Sequence, residues 1–181
     1  QTGFIRQMTY WVMTEAARYR QVWQSLNLDL KVSVNLSTRD LLDQDLPRKF
    51  TQLFEQFTLT PAAFCLEITE SAIMDDPQRA LQTLDGLHEL GLDLSIDDFG
   101  TGYSSLAYLK RLPVDELKID KSFVLKMEHD QDDVKIVKST IDLGHNLGLR
   151  VVAEGVENQA SLNLLQQLGC DQAQGYFIAR P

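Results

Sequence analysis

Residues 92–100, Leu92-Asp93-Leu94-Ser95-Ile96-Asp97-Asp98-Phe99-Gly100, give the clearest indication of the fold. Its first half, Leu92 to Ile96, has the length and apolar composition of a buried strand, and it stops at two carboxylates. A pair of aspartates would mean little by itself. The same arrangement, an apolar run that ends at a carboxylate, amide or ammonium, occurs five more times in the chain. Chance does not readily produce such a repetition.

The other strand-ending motifs are Val34-Asn35-Leu36-Ser37, Glu67-Ile68-Thr69-Glu70, Lys118-Ile119-Asp120, Ala153-Glu154-Gly155-Val156-Glu157 and Gln174-Gly175. The predicted strands are 30–36, 64–68, 92–96, 114–119, 149–153 and one strand within 171–178. The predicted helices are 4–26, one around 50–57, one from 77 to 90, 104–110, 131–147 and 158–168. Helix and strand therefore alternate from end to end.

The first predicted helix carries an apolar stripe. Its members, which follow one another at spacings of three and four, are Ile5, Met8, Val12, Ala16, Tyr19, Trp23 and Leu26. This periodicity predicts an amphipathic helix, and we expect Trp11 and Trp23 to face the core.

Alternation of this kind predicts a parallel sheet, which could be an open doubly wound sheet or a (β/α) barrel. An open sheet binds its ligands at one switch point and usually has a glycine-rich loop after its first strand. A barrel collects functional groups from the ends of many strands on one rim. Here every strand ends in a polar group and none carries such a loop. The barrel is favoured.

Length and composition limit the function. A chain of 181 residues with 44% hydrophobic and 24% charged residues fits one globular domain. A net charge of −9 argues against a nucleic-acid polymer as partner. No apolar run approaches the ~20 residues of a membrane span. Cys65 and Cys170 lack metal-ligand spacing, so we interpret them as reduced thiols and expect a cytoplasmic location.

The predicted rim is acidic. Its carboxylates are Glu67, Asp97, Asp98, Glu154 and Glu157. Like charges at this density require either protonation or a bound cation. With Asn35 and Gln174 as neutral oxygen donors, the set favours Mg²⁺ or Mn²⁺ over Zn²⁺. The surplus of carboxylates suggests two ions, the arrangement used in phosphodiester hydrolysis, and Lys118 could orient the attacking water.

These motifs resemble those of the EAL domain family, bacterial phosphodiesterases that linearise cyclic di-GMP. The run Asp97-Asp98-Phe99-Gly100-Thr101-Gly102-Tyr103-Ser104-Ser105-Leu106 is close to diagnostic, and matching segments extend over essentially the whole chain. The resemblance implies a TIM-like barrel and hydrolysis of cyclic di-GMP to linear pGpG. Ca²⁺ is expected to inhibit the reaction, since its looser coordination misaligns the water.

The resemblance also implies a role for each site residue. Asn35, Glu67 and Asp97 resemble ligands of a first ion. Asp98 resembles a ligand of a second ion, which shares Asp97. Lys118 resembles the lysine that contacts catalytic water and Glu154 the proposed general base, while Glu157 and Gln174 resemble supporting residues for metal and substrate. Glu70 resembles the anchor of a loop formed by Phe99 to Ser105.

Partners follow from the same resemblance. A homodimer is implied, formed near the Asp97-to-Ser105 loop and the helix after Lys118. The parent protein is expected to carry an upstream sensory or GGDEF-type domain and could be tethered to a membrane. We expect residues 1–181 to be a single EAL-type domain that is incomplete at its N-terminus, because the Glu-Ala-Leu motif and two of the eight barrel strands would precede the first helix. Such a fragment should be poorly active alone.

Two alternative functions remain. The first is a catalytically degenerate module that binds cyclic di-GMP without hydrolysing it. Degenerate modules usually lose metal-site carboxylates or the Asp-Asp-Phe-Gly loop, and this chain keeps both. The second is an unrelated barrel lyase that uses Mg²⁺ and a lysine base. Only the general chemistry of the rim supports this alternative.

Overall fold

The computed structural model describes residues 4–101 and 106–180. The strands are β1 (Val32–Leu36), β2 (Phe64–Thr69), β3 (Asp93–Phe99), β4 (Glu116–Ile119), β5 (Arg150–Glu154) and β6 (Gln172–Gln174). The helices are α1 (Phe4–Ser25), α2 (Thr38–Leu41), α3 (Leu46–Phe57), α4 (Glu70–Met74), α5 (Pro77–Glu89), α6 (Leu106–Leu109), α7 (Lys121–Val124), α8 (Gln131–Asn146) and α9 (Gln159–Leu168). A 3₁₀ turn, Pro61–Ala63, precedes β2.

Every predicted strand and helix is present in the described residues, with ends shifted by a few residues. Periodicity did not predict the three one-turn helices α2, α4 and α7, because a single turn is too short to show a helical period. Residues 104 and 105 of the predicted helix 104–110 lie outside the described residues. Neither cysteine forms a disulfide. Within the described ranges, no helix has the length and apolar character needed to cross a membrane.

The chain forms two compact units. The first comprises residues Gln1–Ser95 together with Arg111–Pro113. In this unit β1, β2 and the beginning of β3 are neighbours in that order, and β1 runs parallel to β2. Apolar residues of β2 are buried on both faces, as expected of a strand covered on both sides by helices.

The second unit comprises residues Ile96–Lys110 and Val114–Pro181. Here the end of β3 and the strands β4, β5 and β6 follow one another, and β4, β5 and β6 are parallel. Leu117, Ile119, Val151 and Ala153 are fully buried, so the core of this unit lies along β4 and β5. The polar strand-ending motifs come directly after this apolar core.

The prediction for the face of α1 was wrong. The helix buries Thr9, Met13, Ala17 and Arg20. Most of the apolar stripe is exposed, and so is Trp11, at 63%, while Trp23 is half-buried. The buried face is held by polar contacts, because the Arg20 guanidinium donates to Asp29 at 2.7 Å and to a carbonyl of the following turn. Periodicity identifies an apolar face of a helix but not the neighbour that covers it.

A buried carboxylate joins α1 to the end of β1. Asp40, which is 1% exposed, accepts three hydrogen bonds at one oxygen. The donors are the Thr9 hydroxyl at 2.9 Å, the Ser37 amide at 2.8 Å and the Ser37 hydroxyl at 2.5 Å. Since Ser37 directly follows the strand that carries Asn35, this contact determines how the chain leaves β1.

Replacing Asp40 with alanine should lower the free energy of unfolding by about 2 kcal/mol. The change removes the acceptor of the Ser37 amide and leaves the buried Thr9 hydroxyl with only its longer contact to the Ile5 carbonyl. Urea unfolding of Asp40→Ala and the unmodified chain measures the difference.

The control is Asp45→Ala. Asp45 is exposed and its side chain contacts Arg48 at 3.4 Å, so its loss should change the free energy of unfolding by no more than about 0.5 kcal/mol. Equal losses for both variants would contradict a specific role for Asp40.

Candidate active site

Lys118 and Glu154 lie on the paired strands β4 and β5. In β4, Leu117, Lys118 and Ile119 are all buried, so the lysine ammonium has to find its partners inside the second unit. The register of β4 and β5 pairs Lys118 with Val152 and Ile119 with Ala153. Glu154 therefore follows at the end of β5, two residues beyond the partner of Lys118.

Two carboxylates hold the Lys118 ammonium. Its nitrogen lies 2.6 Å from Oε1 of Glu154 and 3.2 Å from Oδ1 of Asp97. Lys118 is only 3% exposed. A buried cation is tolerated only with such anionic partners. The lysine is therefore part of an ion cluster.

The chain turns sharply after Asp97. Asp98 has a φ of +54°, a left-handed conformation that few residues other than glycine, asparagine and aspartate adopt. The Asp98 amide donates to Oδ1 of Asp97 at 3.0 Å. This turn brings both carboxylates to one side of the strand end.

The pKa of Asp98 is raised above its ordinary value. Burial is the largest cause, followed by the negative charge of Asp97 and then that of Asp120, while Lys118 acts in the opposite direction. Burial and the crowded negative charge therefore disfavour the ionised form of the Asp98 carboxyl.

Asp120 was missing from the predicted site residues, although it ends the Lys118-Ile119-Asp120 motif. It is 8% exposed, and its Oδ1 accepts the Ser122 amide at 3.0 Å, so it caps α7. Burial would raise its pKa, but hydrogen bonds from Ser122 and Asp98 and the charge of Lys121 lower it overall. The available signal was its position directly after β4.

Asp97, Asp98 and Glu154 form a potential cation site. One ligand oxygen from each lies within 4.8 Å of the others. Carboxylate oxygens suit hard divalent ions such as Mg²⁺ and Mn²⁺, so these residues fit the type of cation that the sequence predicted.

A pocket of about 290 Å³ adjoins this cluster in the second unit. Its walls are formed by Lys121, Leu125, Glu154, Gly155, Glu157, Gln174, Gly175 and Tyr176. The register of β5 and β6 places Glu154 opposite Gln174. The predicted supporting residues Glu157 and Gln174 thus share one pocket with the predicted base. Lys121 and Tyr176 were not predicted for this site.

In the first unit, the register of β1 and β2 places Asn35 opposite Glu67. Asn35 is exposed and Glu67 is partly buried, so both predicted ligands stand at neighbouring strand ends. Glu70 begins α4 and is buried, with 5% exposure. The loop that it was predicted to anchor includes residues 102–105, which lie outside the described residues.

Comparisons with known proteins agree with this geometry. The family model of the EAL domain matches residues 1–181. The bifunctional diguanylate cyclase/cyclic di-GMP phosphodiesterase MucR of Pseudomonas aeruginosa is 43% identical over 99% of this chain, which covers 26% of MucR. The cyclic di-GMP phosphodiesterase NbdA of the same organism is 41% identical over 99% of this chain, which covers 23% of NbdA.

Solved structures give the same result. The MucR phosphodiesterase in complex with c-di-GMP has a TM-score of 0.94 at 43% identity, covering 99% of this chain and 73% of the other. The EAL domain of Mycobacterium smegmatis DcpA has a TM-score of 0.91 at 37% identity, covering 98% of this chain and 80% of the other.

The chain belongs to the EAL domain family. Its fold class is the TIM-like (β/α) barrel of those domains, with six strands in the described residues, so the predicted family and fold class are confirmed. The chain spans about a quarter of the length of MucR and NbdA.

Replacing Asp98 with asparagine should stabilise the metal-free fold at pH 7. Because the folded-state pKa is raised, ionising Asp98 costs stability at pH values above that pKa. Below the ordinary carboxyl pKa, Asp98 is protonated in both folded and unfolded chains and the cost disappears. Thermal unfolding in EDTA should show a higher midpoint for Asp98→Asn at pH 7 and a smaller difference near pH 4.

The control with the opposite sign is Asp171→Asn. Burial would raise the pKa of Asp171, but hydrogen bonds from the Val151 amide and His145 lower it overall. Its ionised form stabilises the fold at pH 7, and this stabilisation is lost as the pH falls through the lowered pKa. The asparagine variant should therefore be less stable at pH 7. For Asp98→Asn, a part of the difference in unfolding midpoint that does not change with pH reports the preference of asparagine for positive φ. If the whole gain in midpoint were independent of pH, the electrostatic cause would be contradicted.

Proposed function

We propose that this domain hydrolyses one phosphodiester bond of cyclic di-GMP to give linear pGpG, with Mg²⁺ or Mn²⁺ as cofactor. The observation that carries the proposal is the buried Lys118 ammonium between Asp97 and Glu154. The names of MucR and NbdA, both cyclic di-GMP phosphodiesterases, and the complex of MucR with c-di-GMP support the choice of substrate.

Two ions are proposed. Asn35, Glu67 and Asp97 would hold the first, and Asp98 would hold the second together with Asp97. The acidic cluster of Asp97, Asp98 and Glu154 has suitable donors for such ions. Bound divalent ions supply Lewis-acid chemistry, which activates water and offsets phosphate charge.

The protein's own groups would handle the proton and the charge. Glu154 is the proposed general base, and the Lys118 ammonium 2.6 Å away stabilises its negative charge. In its ionised form Glu154 could accept the proton of the attacking water. Lys118 would also orient that water, while Glu157 and Gln174 bind substrate from the wall of the pocket.

The main alternative is a regulatory module that binds cyclic di-GMP without hydrolysing it. The intact cluster of Asp97, Asp98, Lys118 and Glu154 favours an enzyme, because a binding module has no need for a proton acceptor held by a buried ammonium. Membership of the EAL family argues against the barrel lyase. MucR and NbdA are about four times as long as this chain, which supports a role beside other domains, such as a sensory or GGDEF-type domain.

Asp97→Asn and Glu154→Gln should each lower turnover of cyclic di-GMP by about 100-fold or more, because one weakens the ion site and the other removes the proton acceptor. Glu154→Gln should still bind cyclic di-GMP. Chromatographic detection of pGpG and calorimetric titration of the dinucleotide measure the two properties separately.

Asp142→Asn serves as the control for these variants. This exposed carboxylate pairs with Lys138 on α8, and its removal should leave turnover unchanged. Excess EDTA should abolish turnover, and Ca²⁺ should fail to restore it. These measurements use the intact protein that contains this domain. Its turnover in EDTA would exclude the proposed mechanism, and tight binding without turnover under every metal condition would favour the binding module.

We further propose that the protein acts as a homodimer, with Glu70 holding the loop from Phe99 to Ser105. Glu70→Ala should then reduce turnover by about 10- to 100-fold, because the loop directly follows Asp97 and Asp98 and a small misplacement of these carboxylates costs about that much. The exposed Glu89 at the end of α5 provides the control, Glu89→Ala, which should retain full turnover.

The proposed homodimer is tested by sedimentation. A protein that is fully active and strictly monomeric would contradict it.

A further inference from the structure

Two backbone hydrogen bonds join the chain after β5 to the chain after β6. The Val156 amide donates to the Gln174 carbonyl at 3.0 Å, and the Phe177 amide donates to the Val156 carbonyl at 3.0 Å. Val156 is completely buried. Both backbone groups of this one residue are therefore held by the segment from Gln174 to Phe177.

Gly175 lies inside this double contact. A Cβ atom on Gly175 would stand 2.2 Å from the Val156 carbonyl oxygen and 2.3 Å from the Val156 nitrogen. Both distances are far shorter than any tolerated contact, and backbone atoms cannot swing aside as the end of a flexible side chain can. Gly175 is not among the glycines with positive φ, so glycine is needed here for space and not for backbone conformation.

The start of the segment is also close-packed. Gly155 has a φ of +74°, and a Cβ atom there would lie 2.6 Å from Cβ of Lys121 at the start of α7. The segment from Gly155 to Glu157 therefore contacts both α7 and the chain at the end of β6, which limits how far it can shift.

This segment carries the chemistry of the pocket. Glu154 precedes it, Glu157 ends it, and both line the same pocket as Gln174 and Gly175. Because Val156 separates the two glutamates in the chain, any displacement of its backbone moves both carboxylates. Glu154 also has to stay within 2.6 Å of the Lys118 ammonium.

We propose that Gly175 is a positioning residue for the reaction: its lack of a side chain allows the Val156 backbone to dock on the end of β6, and this docking sets the positions of Glu154 and Glu157. The proposal rests on the proposed function, since it assigns Gly175 to the geometry of the same site. Gly175 acts through the backbone and contacts none of the reacting atoms itself.

Gly175→Ala tests the proposal. The added methyl group forces a displacement of the order of 1 Å at Val156, and a misplacement of that size lowers kcat by about 100-fold. KM should rise as well, because Glu157, a proposed substrate contact, moves with the Val156 backbone. Hydrogen exchange of the metal-free protein should show lost protection at the Val156 and Phe177 amides, the two donors of the docking contact.

Gly144→Ala is the matched control. A Cβ atom on Gly144 in α8 would lie 2.4 Å from Cγ2 of Val151, so this variant introduces a comparable clash, but one that lies outside the pocket lining. It should lower the melting temperature while keeping kcat and the protection of the Val156 amide. An equal loss of kcat in both variants at matched stability would overturn the proposal, because general destabilisation would then explain the effect.

Phe177→Pro keeps the test decisive if Gly175→Ala does not fold. Proline removes the amide that donates to the Val156 carbonyl and adds no atom at Gly175. Turnover should fall and the Val156 amide should lose protection; unchanged values for both would overturn the proposal. Failure of the proposed function has a different signature: the intact protein that contains this domain would turn over no cyclic di-GMP, while the exchange measurements would still report whether Gly175 permits the docking.

Discussion

The buried ammonium of Lys118 is the constraint on which the second unit depends. A cation at 3% exposure loses nearly all of its hydration, so its carboxylate partners have to stay within contact distance. Asp97 and Glu154 meet this need from the ends of β3 and β5, on either side of β4. If the pairing of β4 with β5 slipped by one residue, Glu154 would move away from Lys118. The parallel register is therefore needed to keep the buried ammonium paired.

A single ammonium does not neutralise the surrounding carboxylates. Asp97, Asp98, Glu154 and Asp120 outnumber Lys118, and the raised pKa of Asp98 reflects burial and the negative charge around it. Some of the same groups also serve the fold, since Asp120 caps α7 and Asp97 accepts the amide of the strained Asp98. Local strain and crowded charge at strand ends are common features of functional sites, where stability is given up for chemistry. A divalent cation would relieve the repulsion that the isolated chain retains.

Two contacts, one in each unit, position strand ends that carry predicted site residues. Asp40 ties α1 to the exit of β1, next to Asn35, and Gly175 allows the backbone beyond Glu154 to lie against β6. Neither residue carries an obvious chemical role in the sequence. Asp40 matters because buried donors surround its carboxylate. Gly175 matters because the Val156 backbone occupies the space where a side chain would lie.

The sequence alone determined the order and approximate limits of the longer helices and strands, because burial on both faces and helical periodicity are written in local patterns such as Leu92 to Ile96. It also predicted candidate site residues at strand ends, since parallel strands present their carboxyl ends on one edge and polar groups interrupt each apolar run there. Of these, the structure brings Asp97, Lys118 and Glu154 into contact. Only the tertiary structure decided which face of α1 is buried, that Asp120 shares the electrostatics of Asp98, and why position 175 has to be glycine. Those facts depend on neighbours distant in the chain, and no local pattern specifies which atoms will occupy the space beside a residue once the chain has folded.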